Sequence, residues 1–141
     1  MTFNSENDLV NAFVPFFEDQ GLVYRLEVPV HNRMVDLAAL DKKGNLIGVE
    51  FKLSDWKRAL NQALTNRLSF DYIYVCVPRK RTVERFKAEA KRVGIGIMVV
   101  DPTTGVICVE LDAQKIEKHW PPNQQFLRSY LGEGACDNEN K

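Results

Sequence analysis

Three charged residues inside two apolar runs place the strongest constraint on how this 141-residue chain can fold. Residues 34–40 read MVDLAAL and residues 46–53 read LIGVEFKL, so Asp36, Glu50 and Lys52 lie among aliphatic and aromatic neighbours. The five residues between the runs, DKKGN, are typical of a turn. The pattern predicts a β-hairpin with charged groups in both strands. Because burial of unpaired charge is costly, we expect these groups to have partners.

The turn sets the pairing of the two predicted strands. If Leu40 pairs with Leu46, Asp36 stands opposite Glu50, and such partners have Cβ atoms about 4.5–5.5 Å apart. Lys52 is two residues beyond Glu50 and therefore shares its face of the sheet. The opposite face is predicted to be apolar, with Val35, Leu37, Val49, Phe51 and Leu53. We expect the three charged groups to converge on one covered face.

Two carboxylates at this separation raise each other's pKa unless a cation lies between them. Mg²⁺ and Mn²⁺ favour carboxylate and carbonyl oxygens, so Asp36, Glu50 and the backbone carbonyl of Phe51 are candidate ligands. Lys52 would orient or help to deprotonate an attacking water, or stabilise charge on a phosphate. The alternative is an ion pair of Lys52 with Glu50 or Asp36 at an exposed sheet edge.

Hydrophobic periodicity predicts the order α-β-β-β-α-β-α-β-β, with Ser5, Ser54 and Thr82 as helix caps and a short helix after Asp112. Residues 70–77 form a near-continuous apolar run, which is typical of a central strand covered on both faces. The order predicts an α/β chain (mixed α+β) with a central mixed β-sheet flanked by helices.

The length of the chain is that of a single domain, which we predict over residues 1–131, followed by a polar and disordered tail over residues 132–141. Three cysteines without a CxxC pair, together with no signal peptide, indicate a reducing cytoplasm. We expect no association with a membrane, because no apolar run reaches the length of a span.

The formal net charge is zero, which provides no general attraction to nucleic acid. Residues 79–92 nevertheless carry seven basic and two acidic side chains. This local excess is either a surface that faces phosphates or an ordinary solvated helix face.

The order Asp36, thirteen residues, then Glu50-Phe51-Lys52 on a hairpin before an amphipathic helix resembles the PD-(D/E)XK nuclease superfamily. Its members include restriction endonucleases and archaeal Holliday junction resolvases, and the resemblance covers roughly residues 5–100. It implies a restriction endonuclease-like fold with an αβββαβ core and Mg²⁺-dependent cleavage of nucleic-acid phosphodiesters. Asp36 and Glu50 would hold the metal and Lys52 would be the catalytic lysine. Val35 stands where the family name has proline.

The same resemblance implies two further site residues. Many members carry an acid on the first helix, where Glu6 is the best candidate and Asp8 and Glu18 are weaker ones. Several subfamilies carry a glutamine in the helix after the lysine, where Gln62 would hold a water or a phosphate. Both also have ordinary interpretations, as an acid that complements the helix dipole and as a polar residue beside the buried stripe. An aromatic residue often found four positions later is absent, since Asn66 stands there.

Three basic residues flank the predicted site and are candidates for contact with a nucleic-acid backbone: Arg33, Lys57 and Arg58. His31 is either a further contact or an ordinary turn residue. Helix surfaces also carry bases such as Lys57 and Arg58 without a special role.

The leading hypothesis from the sequence is a Mg²⁺-dependent (or Mn²⁺-dependent) endonuclease whose partner is DNA. One alternative is a nucleic-acid-binding or assembly module on the same fold that does not cut, which the zero net charge favours. Another is a nuclease that cuts RNA, such as a toxin. Superfamily members that cut both strands often pair, so a homodimer is compatible with the first hypothesis.

Overall fold

The computed structural model describes residues 3–30, 33–79, 83–117 and 120–133 of the chain. The described residues contain one six-stranded sheet, in the spatial order β1-β2-β3-β4-β5-β6. The strands are β1 (Val23–Val30), β2 (Arg33–Leu40), β3 (Leu46–Phe51), β4 (Tyr72–Pro78), β5 (Gly96–Val100) and β6 (Ile107–Leu111). The helices are α1 (Glu6–Asp19), α2 (Trp56–Asn66), α3 (Glu84–Val93) and α4 (Pro121–Arg128), with a 3-10 turn at Arg67–Ser69.

The sheet is mixed, as the order of elements predicts. Strands β1, β2 and β3 form an antiparallel unit, and β6 is antiparallel to β5. The β3–β4 and β4–β5 pairs are parallel, and α2 and α3 make the crossovers between them. The predicted αβββαβ order is confirmed.

Helices cover both faces of the sheet. On one face, α1 contributes Phe13, whose ring packs edge-on against Phe17 at 4.8 Å and Phe51 at 5.2 Å between centroids. On the other face, buried residues of α2, α3 and α4 pack against the strands, among them Ala63, Phe86 and Leu127. Because both faces are covered, a charged group in a central strand needs partners from the protein itself.

The helix caps differ from the predictions in one place. Ser5 caps α1 as predicted, since its hydroxyl accepts a hydrogen bond from the Asp8 N–H at 3.2 Å. Asp55, not Ser54, caps α2, because its carboxylate accepts from the Arg58 N–H at 3.1 Å. Thr82 lies outside the described residues. The short helix predicted after Asp112 is α4, which begins at Pro121.

The last described element is a π-helical turn at Ser129–Glu133. Residues 134–141 lie outside the described residues. The predicted boundary between a domain and a polar tail therefore stays a prediction. In the described ranges, no helix is both long enough and apolar enough to cross a membrane.

We expect Gly96→Ala to destabilise the fold more than Gly48→Ala. A Cβ at position 96 would lie 2.4 Å from the Tyr74 ring and 2.7 Å from the backbone nitrogen of Ala113, whereas one at position 48 would lie 3.0 Å from the Phe70 ring. A ring shifts more easily than a backbone, and overpacking typically costs about 1–3 kcal/mol. The loss in free energy of unfolding should be near the upper end of this range for Gly96→Ala. Urea unfolding of the two matched variants tests this, and equal losses would contradict it.

Candidate active site

The predicted register of the hairpin is confirmed, but the ladder ends before it reaches the charged pair. Strands β2 and β3 pair Leu40 with Leu46 and continue to Leu37 with Val49. In the described residues the next position, Asp36 with Glu50, forms no ladder pair. The two strands therefore part at the acids, and we call this place the fork.

At the fork, side-chain carboxyls replace the missing backbone partners. The Phe51 N–H donates to Asp36 Oδ2 at 2.8 Å, and the Asp36 N–H donates to Glu50 Oε1 at 3.4 Å. The two carboxyl groups also lie close enough to interact, since the charge of Asp36 raises the pKa of Glu50. Asp36 and Glu50, the carboxyl pair, are thus in direct contact, as the register predicts.

Asn66 is a site residue that sequence reasoning missed. Its Nδ2 donates to Glu50 Oε2 at 2.9 Å, and both side chains are almost fully buried. In the sequence, Asn66 is notable only because it stands where an aromatic residue is often found. A usable signal was present, because Asn66 continues the buried stripe of Ala59 and Ala63 along α2. A polar residue on such a stripe needs a buried partner, and Glu50 is that partner.

Burial makes Glu50 harder to ionise than an ordinary carboxyl group when no cation is present. Burial, and after it the negative charge of Asp36, raises the pKa of Glu50 from 4.5 to about 8, although the Asn66 amide opposes the shift. Burial also raises the pKa of Asp36, against the lowering effect of the Phe51 N–H and of the Lys52 charge. A proton on Glu50 therefore relieves the repulsion between the two groups near neutral pH.

Lys52 reaches the edge of the carboxyl pair but makes its ion pair with Glu6. Lys52 Nζ lies 3.3 Å from Glu6 Oε2. The Lys52 charge also lowers the pKa of Asp36, whereas the Glu6 charge raises it. The alternative ion pairs of Lys52 with Asp36 or Glu50 at an exposed edge are not formed. Glu6 and Asp36 line a cavity of about 170 Å³ next to α1.

Gln62, Arg33 and Arg58 come together in a groove on the α2 side of the fork. The groove has a volume of about 460 Å³, and its lining is completed by Met34, Asn61, Thr65 and Asn66. Since Asn66 also holds Glu50, the groove adjoins the carboxyl pair.

Lys57 is separated from the other two predicted contact residues. Its Nζ lies 5.8 Å from the centre of the Trp56 ring, and it lines a surface groove with Arg85 and Glu89. That groove lies between α2 and α3. The structure therefore brings Arg33 and Arg58 together and leaves Lys57 outside their groove.

The predicted alternation of faces is wrong at Val35. Val35 packs with Val28 and Val30 in the core beneath α2, whereas Leu37 and Phe51 pack beneath α1. The alternation therefore breaks at the fork.

On the neighbouring strand β1, Glu27 adopts a φ of 52°, in the left-handed region that is uncommon for residues other than glycine.

Two acids suit a hard divalent ion, although the fuller predicted ligand set is not assembled. Among the described residues, no three His, Cys, Asp or Glu side chains lie close enough together to hold a metal ion. Mg²⁺ commonly uses one or two protein carboxylates and completes its shell with water and substrate phosphate. The direct contact of Asp36 with Glu50 and their raised pKa values fit a place where a cation replaces a proton. The roles of Glu6 and of the Phe51 carbonyl stay predictions.

The basic segment over residues 79–92 is partly neutralised by neighbouring acids. Lys87 pairs with Glu110 at 3.2 Å, and Arg92 pairs with Glu89 at 2.9 Å. Arg79 lies 3.9 Å from Asp101. Lys80 and Arg81, like His31, fall outside the described residues. The described part of this segment therefore favours a solvated helix face over a surface that faces phosphates.

No protein-family model matches this chain, and no curated protein matches it either. Among solved structures, a protein of unknown function from Silicibacter pomeroyi has a TM-score of 0.66 and 21% identity, over 91% of this chain and 84% of that one. The similarity places no chemistry on this chain, because the function of that protein is unknown.

Two endonucleases are also similar in structure. A repair endonuclease from Pyrococcus abyssi has a TM-score of 0.52 and 19% identity, over 72% of this chain and 49% of that one. EndoMS, solved with double-stranded DNA, has a TM-score of 0.55 and 15% identity, over 72% and 46%. The chain thus spans about half the length of either endonuclease. At these identities the similarity shows the fold, and the predicted restriction endonuclease-like fold is confirmed.

The carboxyl pair should make the metal-free protein less stable as the pH rises. Because the pKa of Glu50 is about 8 in the folded state and 4.5 ordinarily, the folded state binds more protons between these values, and stability falls from about pH 5 to pH 8. Glu50→Gln, which mimics the protonated acid, should flatten this dependence. Urea unfolding in EDTA at several pH values measures it.

The control for this experiment is Glu117→Gln, which removes an exposed acid and should leave the pH dependence as in the wild type. Parallel pH curves for the wild type and Glu50→Gln would contradict the raised pKa.

Proposed function

We propose that this chain is a metal-dependent nuclease that hydrolyses phosphodiester bonds in DNA. The observation that carries the proposal is the direct contact of Asp36 with Glu50 at the fork, with Lys52 at its edge. Burial of two acids in contact is unfavourable unless they serve a cation or share a proton. The fold, which two endonucleases share, supports the same proposal.

Asp36 and Glu50 would hold Mg²⁺ or Mn²⁺, which supplies positive charge to the scissile phosphate and lowers the pKa of water. The protein fixes both acids in advance. The Phe51 N–H holds Asp36, and the Asn66 amide holds Oε2 of Glu50. Such fixed orientation reduces the reorganisation that the site needs when substrate arrives.

Lys52 would place its ammonium group against the scissile phosphate. Its partner in the absence of substrate, Glu6, is 46% exposed at the side chain, and an ion pair so open to water contributes little. Lys52 can therefore exchange Glu6 for a phosphate oxygen at small cost. At that position Nζ would stabilise negative charge that develops on the phosphate or orient the attacking water.

Arg33 and Arg58 would hold the sugar-phosphate backbone beside the fork. Both line the groove on the α2 side, and its seven lining residues include no acid. Two guanidinium groups without a competing carboxylate favour phosphate. We propose DNA as the partner, because EndoMS was solved with double-stranded DNA. Cleavage of RNA, and assembly into a homodimer, stay predictions.

A module that binds nucleic acid without cutting it is the second candidate. The Lys52–Glu6 ion pair and the absence, among described residues, of a third acid at the carboxyl pair favour this candidate. The two candidates share the groove and differ in whether the carboxyl pair exchanges its proton for a metal.

A cleavage assay on plasmid and branched DNA with Mg²⁺ or Mn²⁺ separates the two candidates. We expect the wild type to cut and Asp36→Ala or Lys52→Ala to lower the rate by about 10²-fold or more, as the loss of a positioned catalytic group does. The matched control is Lys43→Ala, which removes an exposed lysine from the turn at the other end of the hairpin.

Cleavage by the wild type that survives both substitutions would refute the assignment of the site. DNA binding without cleavage by the wild type in either metal would favour the second candidate.

Replacement of either groove arginine should weaken DNA binding in a salt-dependent way. We expect Arg33→Gln and Arg58→Gln each to reduce the slope of log affinity against log salt concentration by about 1, because each removes one phosphate contact. Lys43→Gln serves as the control for loss of a positive charge. Fluorescence anisotropy in EDTA measures binding apart from cleavage, and slopes equal to that of the wild type would contradict a role for these residues.

A further inference from the structure

The groove on the α2 side contains a hydrogen-bond acceptor without a partner. Gln62 Oε1 is shielded from water and accepts no hydrogen bond from any described residue, although the Gln62 side chain lines the groove. An unsatisfied buried acceptor is unfavourable. A turn of the amide toward the groove would relieve this state if a donor were bound there. A ligand in the groove that carries an N–H or O–H group would satisfy this acceptor.

The other lining residues narrow the chemistry of that ligand. The guanidinium groups of Arg33 and Arg58 favour a negatively charged ligand, and Asn61 and Thr65 offer further polar contacts. Met34 is 53% exposed and provides an apolar surface in the same groove. A volume of about 460 Å³ falls within the range of sites that bind small molecules. An anion with a flat apolar body and a hydrogen-bond donor fits this combination, and a nucleotide is such a group.

We propose that the groove holds one unpaired nucleotide of a DNA strand. A phosphodiester has no donor for Gln62 Oε1, and the sugar of DNA lacks the 2′-hydroxyl. The donor must then be an N–H group of a base. Bases in a duplex are stacked and paired, so they cannot enter a groove, whereas an unpaired base can leave the stack at low cost. Met34 would pack against the face of this base.

This inference rests on the proposed function only in taking DNA as the ligand, and it specifies the substrate. Asn66 lines the groove and also holds Glu50, so a nucleotide in the groove would lie beside the carboxyl pair. DNA that carries a bulged or single-stranded nucleotide would then be positioned for cleavage next to that nucleotide. Continuous duplex would be bound by its phosphates and positioned less well.

Binding in EDTA tests the inference without any need for cleavage. Anisotropy is measured with three labelled DNAs of one sequence: a duplex, the same duplex with one unpaired nucleotide, and the single strand. We expect the wild type to bind the second and third about tenfold more tightly than the duplex, the effect of one satisfied hydrogen bond with its apolar contact. Gln62→Met should lose this preference, and Gln125→Met, which alters an exposed glutamine of α4, should keep it.

Met34→Ala provides a second variant in case Gln62→Met unfolds, because Met34 is largely exposed. We expect it to lower the preference for unpaired DNA several-fold. Equal binding of duplex and unpaired DNA by the wild type, or a preference that survives both groove variants, would overturn the inference. Tighter binding of single-stranded RNA than of the DNA strand would also overturn it, since the 2′-hydroxyl would then be the donor.

Failure of this inference is distinguishable from failure of the nuclease proposal. If the protein prefers unpaired DNA but does not cut in Mg²⁺ or Mn²⁺, the inference about the groove holds and the nuclease proposal fails. If cleavage depends on Asp36 and Lys52 but the protein binds duplex and unpaired DNA equally well, the nuclease proposal holds and the inference about the groove fails.

Discussion

The contact between Asp36 and Glu50 is the interaction on which the rest of this structure depends. Two carboxyl groups inside a covered sheet repel each other and are partly shielded from water, so the surrounding chain must supply donors. The strands part at the fork to do so, because the Phe51 N–H can serve Asp36 only when it leaves the β2–β3 ladder. The irregular part of the hairpin is thus a consequence of the charges it carries.

The two faces of the sheet contribute different partners to this contact. On the α2 side, Asn66 holds Glu50 and forms part of a groove lined by arginines. On the α1 side, Glu6 holds Lys52 and lines a smaller cavity with Asp36. The carboxyl pair therefore connects a basic surface to an acidic one. A polyanionic ligand is attracted to the first, and a cation to the second.

The sequence was sufficient for features that depend on periodicity and on the turn. The DKKGN turn fixes the pairing of Leu40 with Leu46, and a constant register then brings Asp36 to Glu50. Features that depend on tertiary contacts were not predictable in this way. The face of Val35 changes where the strands part at the fork, and Asn66 reaches Glu50 from a helix sixteen residues further along the chain. A strict period of two cannot represent such a break.

The Lys52–Glu6 ion pair explains how the acid on α1 can matter without binding a metal. In the absence of substrate, Glu6 Oε2 lies 3.3 Å from Lys52 Nζ. A phosphate that enters competes with Glu6 for the same ammonium group. Because Glu6 is much more exposed than Lys52, its carboxylate regains water when it is displaced, whereas the lysine exchanges one anion for another. On this argument Glu6 holds the Lys52 side chain in place until the substrate replaces it.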